Sequence, residues 1–599
     1  MASSTKAPSV HSDNATVVIE SEKKDAFTSE STSNESNDFN NGGSKEHASG
    51  EKEEVIETDS SGQKEEIIDS ASSTKDSSHG NLDPGPPMPS QGVVTLPFRE
   101  LMVVFTGLML GIFLSSLDQT IVSVCTTKIA SEFNSLNEIP WIGTAYLLTS
   151  TAFQPLYGKS SDIFGRKSTF LFAIGVFLLG SALCGAAQNM TWIIIARGVA
   201  GVGAAGIMSG VMIIITDLVS LRDRGKYQGI IGGVFGIASV IGPLLGGVLT
   251  DHATWRWAFF INLPIGAITI FTVIKVLHLP HAGGSLKTKL ARVDFAGSLS
   301  LIAGLVMILL PLNWGGSTYP WDSARVIGLF CAGFVVLLIF CYIEVKVAVE
   351  PIIPFRLFKK RTSSAVFATS FFIGMGFFGI MFFMPLYFQI VRQESATSSG
   401  LEMLPMIVGL LIASITSGFM VSKWGQYRPF IWTGLVLATT GIGLLTLLNE
   451  SSNRGEIIGY LFINGLGLGF CMQTVMLAIQ SGVETRDIAV ATANATFFRT
   501  VGSVFGVAIS GTVFNNAVKN HLGPIILANP QYDVASVITD PYNVKNFPQA
   551  LQDQILHGYM LSLRQAFTVC IPFMGAAFLV SLLIRHHKLR KTLGPQTME

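Results

Sequence analysis

Gly158-Lys159-Ser160-Ser161-Asp162-Ile163-Phe164-Gly165-Arg166-Lys167 lies between two apolar runs, residues 141–157 and 169–187. Its glycines permit a tight reversal, and Asp162 is placed to cap a helix start or to pair with Arg166 or a base of a neighbouring helix. At 1.5 Å per residue each flanking run is long enough to cross the ~30 Å hydrocarbon layer, so the stretch predicts a membrane hairpin with a polar turn. The same pattern recurs outward in both directions. Apolar segments fall at roughly 101–125, 141–157, 169–187, 191–216, 227–249, 257–279, 294–312, 324–345, 363–390, 398–421, 430–448, 456–480, 488–516 and 564–584, which predicts fourteen spans. A large soluble helical core would need polar faces that these segments lack.

Composition agrees with a membrane body. Of 599 residues, 49% are hydrophobic and 13% charged, about half the charge of a soluble domain. The formal net charge of zero hides two different parts. Residues 1–98 hold 18 Asp+Glu and 7 Lys, a net −11, and the remainder carries +11. The first part is rich in Ser, Thr, Glu, Asn and Lys and poor in aromatics, so it predicts a disordered acidic tail with no cleaved signal peptide. The six cysteines, Cys125, Cys184, Cys331, Cys341, Cys471 and Cys570, stand alone in apolar runs and are expected to be small buried residues, not disulfides or metal ligands. The basic excess forms no continuous stripe, which excludes nucleic acid as a partner.

Loop bases give the orientation. With the tail in the cytosol, 23 Lys and Arg fall in inside loops and ends, 8 fall outside, and only Arg197 and Arg499 remain within spans. An even span count places both termini in the cytosol. The sequons at Asn189 and Asn449 then fall on outside loops and are glycosylation candidates, whereas those at Asn494 and Asn14 fall in a span and in the tail.

Three further stretches carry chemistry. Span 4 contains Arg197-Gly198-Val199-Ala200-Gly201-Val202-Gly203-Ala204-Ala205-Gly206, an intramembrane arginine on a helix with a small-residue face. Its best partner is Asp118 of span 1, since both lie roughly 10 Å below the outer surface; the alternative is that Arg197 snorkels to the interface. Span 5 carries Gly229, Gly232, Gly233 and Gly236, then Gly242-Pro243-Leu244-Leu245-Gly246-Gly247, where proline bends the helix and glycines permit close packing or sliding. Arg499, about 16 Å from the cytosolic end of span 13, faces either a cavity or an interhelical ion pair. The phenylalanines of span 9 (Phe371, Phe372, Phe377, Phe378, Phe382 and Phe383) are expected to pack mainly towards lipid, because they lie on all sides of the helix.

The turn at Gly158, Asp162, Gly165, Arg166 and Lys167 resembles the loop signature of the major facilitator superfamily, departing from it at Ser160 and Ile163. Asp118 and Arg197 resemble that family's span 1 acidic and span 4 arginine motifs, the latter associated with proton coupling. Gly236, Gly242, Pro243, Gly246 and Gly247 resemble its antiporter motif. Trp255-Arg256-Trp257-Ala258-Phe259-Phe260-Ile261-Asn262-Leu263-Pro264 resembles the span 6 entry of its fourteen-spanner drug:proton branch. A weaker echo of the turn, at Gly418, Ser422, Lys423, Gly425 and Arg428, suggests an internal repeat with serine where the first copy has Asp162.

The resemblance implies an all-α polytopic fold of two six-helix halves with two inserted helices. The boundaries expected are a cytosolic tail at 1–98, a first half at 99–280, inserted helices 7 and 8 at 281–362, a second half at 363–585 and a tail at 586–599. It implies a non-enzymatic, fungal toxin- or drug-pump type of antiporter at the plasma membrane, or alternatively the vacuole. Its partners would be lipid, protons and a small amphipathic organic compound, with no cofactor. Asp118, Arg197 and Arg499 are the proton-coupling candidates and the Asp162 turn the gating loop. A proton-coupled importer of a siderophore or basic amino acid, or a transporter-like receptor, is the alternative. ATP is disfavoured, since Gly158-Lys159-Ser160 has Phe153 where a phosphate loop needs its first glycine.

Overall fold

The computed structural model describes residues 97–133, 135, 138–277, 285–315, 319–539 and 541–589. The tail expected to be disordered, its Asn14 sequon and the chain beyond Leu589 lie outside the described residues. Fourteen long helices carry the fold: α1 Phe98–Glu132, α2 Ile139–Phe164, α3 Arg166–Gly185, α4 Met190–Leu218, α5 Arg224–His252, α6 Trp257–Val276 and α7 Phe295–Trp314, followed by α8 Ala324–Lys346, α9 Arg361–Val391, α10 Leu404–Trp424, α11 Arg428–Leu445, α12 Arg454–Gly482, α13 Ile488–Ala528 and α14 Gln549–Ser581. All but α2 coincide with or overlap the thirteen stretches long and apolar enough to cross a membrane. The exception is diluted by Thr144, Thr149, Ser150, Thr151 and Gln154, yet at 26 residues it is long enough to span, and it packs between α4 and α13.

Helix ends follow local chemistry. Asn189, Ser323 and Asp294 accept hydrogen bonds from the first-turn amides of α4, α8 and α7, and Asn453 with Glu456 forms a capping box on α12. Gly165, at φ 96°, makes the reversal from α2 to α3, and Gly425, at φ 77°, ends α10 in the left-handed region.

Helices α1 to α6 pack on one another around Leu108, Ile112, Phe170, Phe177 and Ile207, and α9 to α14 around Phe367, Tyr387, Leu435, Leu461 and Phe567. The two sets meet where α2 packs on α13 and α5 packs on α10 and α12. Helices α7 and α8 form a hairpin whose α7 touches α2 and α13. The Gly158–Lys167 turn lies at the basic end of the bundle.

Several sequence expectations change. Helix α13 runs twelve residues past the expected end at 516, and α14 starts fifteen residues before 564. Asn515, Asn516, Lys519 and His521 end the apolar run without ending the helix. The connection between them packs as a cap, with Val534, Val537 and Val544 buried and Tyr559 donating to the Val537 carbonyl. Cys331 is exposed and Cys341 half-buried, because α8 is peripheral and buries little beyond Val326, Gly333, Phe340 and Glu344. The phenylalanines of α9 do not face outward: only Phe382 is exposed, since α9 packs against α13, α14 and α12, and Phe371 and Phe383 contact the rings of Phe505 and Phe514.

After the π-helical turn Tyr387–Val391 that closes α9, Gln393 takes φ 57°, a conformation a side chain disfavours by about 1 kcal/mol or more. Its amide oxygen is buried without a partner. Gln393→Gly is therefore expected to raise the unfolding temperature of the purified protein by a few degrees, while Gln393→Val is expected to lower it, as read by thermal denaturation in detergent.

Candidate functional site

A buried polar cluster joins five helices of the first set. Arg197 of α4 donates to Asp118 of α1 at 2.6 Å, and the two side chains are 2% and 0% exposed. Asn262 of α6 donates to the other oxygen of the same carboxylate at 3.0 Å and bonds Ser181 of α3 at 2.8 Å. The Arg197 Nε donates to the Ile142 carbonyl of α2 at 3.2 Å, and the guanidinium lies 4.2 Å over the Tyr146 ring.

The backbone explains why these groups meet. A Cβ at Gly201 would lie 2.4 Å from the Tyr146 carbonyl oxygen, so only glycine lets α4 approach α2 closely enough to set Arg197 over Tyr146. Thr149 fixes the same crossing by donating to the Gly198 carbonyl at 2.8 Å. The carboxylate thus has both oxygens satisfied, and the guanidinium has two contacts besides it. Breaking a buried ion pair from one side leaves an uncompensated charge, so the two side chains hold α1 and α4 together as long as both are ionised.

At the basic end, Arg166 pairs with Asp162 and, at 2.8 Å, with Asp217 of α4, and it also bonds Ser161. Lys167 donates to the Ile274 carbonyl of α6 at 2.8 Å. Gly158 is pressed on α13, where an added Cβ would come within 2.7 Å of the Ala493 Cβ. Glu350, in the segment after α8, joins Lys159 at 2.8 Å and Arg292 at 2.6 Å. Burial pushes the Glu350 carboxyl up, but hydrogen bonds from Arg292 and Lys159 outweigh it and hold the group below its ordinary range.

The glycines of α5 divide between two neighbours. Gly229 and Gly236 abut Ser414 and Ile407 of α10, whereas Gly242 and Gly246 abut Thr120 and Ile121 of α1. Gly247 faces open space, and Pro243 lies in the same helix. Gly225 and Gly418 touch backbone to backbone: a Cβ on Gly418 would lie 2.2 Å from the Gly225 carbonyl oxygen. Around them Arg222 donates to the Ser422 and Lys423 carbonyls at the end of α10, Ser422 donates to Asp223 at 3.0 Å, and Gln228 bonds Gln480 of α12 at 3.2 Å. Ser422, the serine of the repeated turn, is thus a hydrogen-bonding partner of the first set of helices.

Arg499 of α13 stands apart from the Asp118 cluster. Of the two alternatives, a cavity or an interhelical ion pair, the second is not seen: among the described residues no carboxylate pairs with Arg499. Asn189 and Asn449 are both exposed in short connections at the end opposite the basic end, and Asn494 is fully buried.

Sequence reasoning missed Asn262, Tyr146, Ser181 and Glu350. Asn262 lies inside the Trp255–Pro264 run, and a lone amide in an apolar span was its available signal. Tyr146 and Ser181 are ordinary in their segments, and only the helix crossing brings them in.

The family model described as Major Facilitator Superfamily matches residues 108–507. The MFS-type efflux pump MFS1 of Arthroderma benhamiae is 39% identical over 474 residues, covering 78% of this chain and 87% of that protein. The Aspyridones efflux protein of Neocamarosporium betae is 37% identical over 478 residues, covering 78% and 84%. Among solved structures, the human organic anion transporter MFSD10 aligns with a TM-score of 0.53 at 14% identity, covering 82% of this chain and all of that one, which is a likeness of fold. The chain is a polytopic helical membrane protein and belongs to the major facilitator superfamily, a family of transporters and not of enzymes.

Proposed function

We propose that this chain is a proton-coupled antiporter that exports a toxin, drug or secondary metabolite, a small amphipathic organic compound, without ATP. The observation that carries the reading is the buried Asp118–Arg197–Asn262 cluster, a titratable carboxylate held at a helix crossing by one cation and one amide. A proton arriving at Asp118 cancels its attraction for Arg197, which relaxes onto the Ile142 carbonyl and the Tyr146 ring and loosens α1 from α4. The direction of transport rests on the relatives, which are named as efflux proteins.

The basic end faces the cytosol, with both termini there, because loop bases concentrate on that side. The halves span 99–280 and 363–585 and rock about the seam, with 281–362 as an insert. Arg222, Ser422, Gln228 and the Gly225–Gly418 contact gather towards the basic end, so this conformation is closed to the cytosol, with the Asp162 turn as its latch. Asn189 and Asn449 are the sites for glycans on the other face, and the plasma membrane is the expected location.

In proteoliposomes tested with a panel of amphipathic dyes, Asp118→Asn is expected to abolish dye-dependent proton flux; unchanged flux contradicts the proton role. Arg197→Ala strands the Asp118 charge and is expected to cost about 3–5 kcal/mol of stability, much of which Asp118→Asn in the same chain restores, as read by thermal denaturation. Gly418→Leu places side-chain atoms against the Gly225 backbone and is expected to stop transport while leaving the protein monodisperse, since closure at the basic end is blocked; transport at the wild-type rate contradicts the proposed seam.

A further inference from the structure

The two intramembrane arginines are in opposite situations. Arg197 is neutralised by Asp118, whereas Arg499 has neither an ion pair nor a side-chain hydrogen bond among the described residues; its titratable neighbour is the Cys471 thiol of α12. Arg499 itself is half-buried. No residue of α13 from 488 to 515 is exposed, and Ala495, Thr496, Gly502 and Ser503 around it are buried. An arginine at this depth of a bilayer is costly, and among the described residues no acidic side chain offsets that cost.

The position is rigidly built. A Cβ on Gly374 of α9 would lie 2.0 Å from the Arg499 carbonyl oxygen, so the backbone of α9 fixes α13 at this residue. The next residue, Thr500, donates to Gln154 of α2 at 3.2 Å, which sets Arg499 beside the contact between the two helix sets. Along the same contact between α9 and α13, the half-buried rings of Phe371 and Phe505 meet at 5.8 Å.

We propose that Arg499 is the anchor for an acidic group of the transported compound, which is therefore an amphipathic organic acid. Its carboxylate or enolate bonds the guanidinium fork. This inference rests on the export reading only in calling the ligand cargo; the anchor itself is a statement about binding.

The test uses 11-(dansylamino)undecanoic acid and its methyl ester, which differ only in the charged group, added to the purified full chain and followed by dansyl fluorescence. The wild type is expected to bind the acid roughly tenfold or more tightly than the ester, and R499Q to bind the two equally. Equal binding by the wild type, or a preference that survives in R499Q, overturns the proposal. If R499Q does not fold, the wild type still decides: phenylglyoxal labelling of Arg499, read by mass spectrometry, is expected to be slowed by the acid and not by the ester, and labelling indifferent to the acid overturns the anchor. A binding preference without dye export from vesicles would overturn the export reading and leave the anchor standing; export without the preference would do the reverse.

Discussion

The Asp118–Arg197 pair is the interaction on which the first half of the bundle depends. Both charges are out of contact with solvent, so neither helix can shift without exposing or neutralising a charge, and α1, α2, α3, α4 and α6 converge on the same few atoms. Close packing makes this geometry possible. The small-residue face of α4 lets its backbone approach α2 and α3, as shown by the space missing at Gly201 and Gly203, and the arginine follows the helix to Tyr146.

Among the described residues the second set of helices has no equivalent intramembrane pair. Among the described residues its intramembrane arginine has no counter-charge, and its connection to the first set runs through glycine contacts and hydrogen bonds, including Ser422 to Asp223, along α5, α10, α12 and α13. That asymmetry suits a two-part machine: a tightly compensated ionic centre in one half, an uncompensated cation in the other, and between them a seam of small residues with few deep ionic commitments. Charged locks lie at the rim, where Arg166 bridges Asp162 and Asp217 and where Glu350 ties the segment after α8 to Lys159. The inserted hairpin is thereby attached to the turn whose sequence first marked the fold.

Much of the fold was legible in the chain because lipid imposes a simple rule: long apolar runs must be helices that satisfy their own backbones. The rule fails where helices leave the lipid. The polar residues after 516 hid the continuation of α13, and the start of α14 at Gln549 has no apolar signal. Asp118 and Arg197 were legible as rare intramembrane charges at matching depth. Asn262 and Tyr146 were not, since their contribution depends on helix crossings that no local pattern encodes. The lone state of Arg499 was equally hidden, because the absence of a partner is a property of the packed bundle.

The central claim is that Asp118 is the group that exchanges a proton while Arg197 and Asn262 hold its two oxygens. Infrared difference spectroscopy of the reconstituted protein across a pH step tests it most directly. If Asp118 exchanges the proton, a protonated-carboxyl band is expected that appears as the pH falls, shifts in Asn262→Leu through loss of its hydrogen bond, and is missing in Asp118→Asn. A spectrum of Asp118→Asn identical to that of the wild type would contradict it.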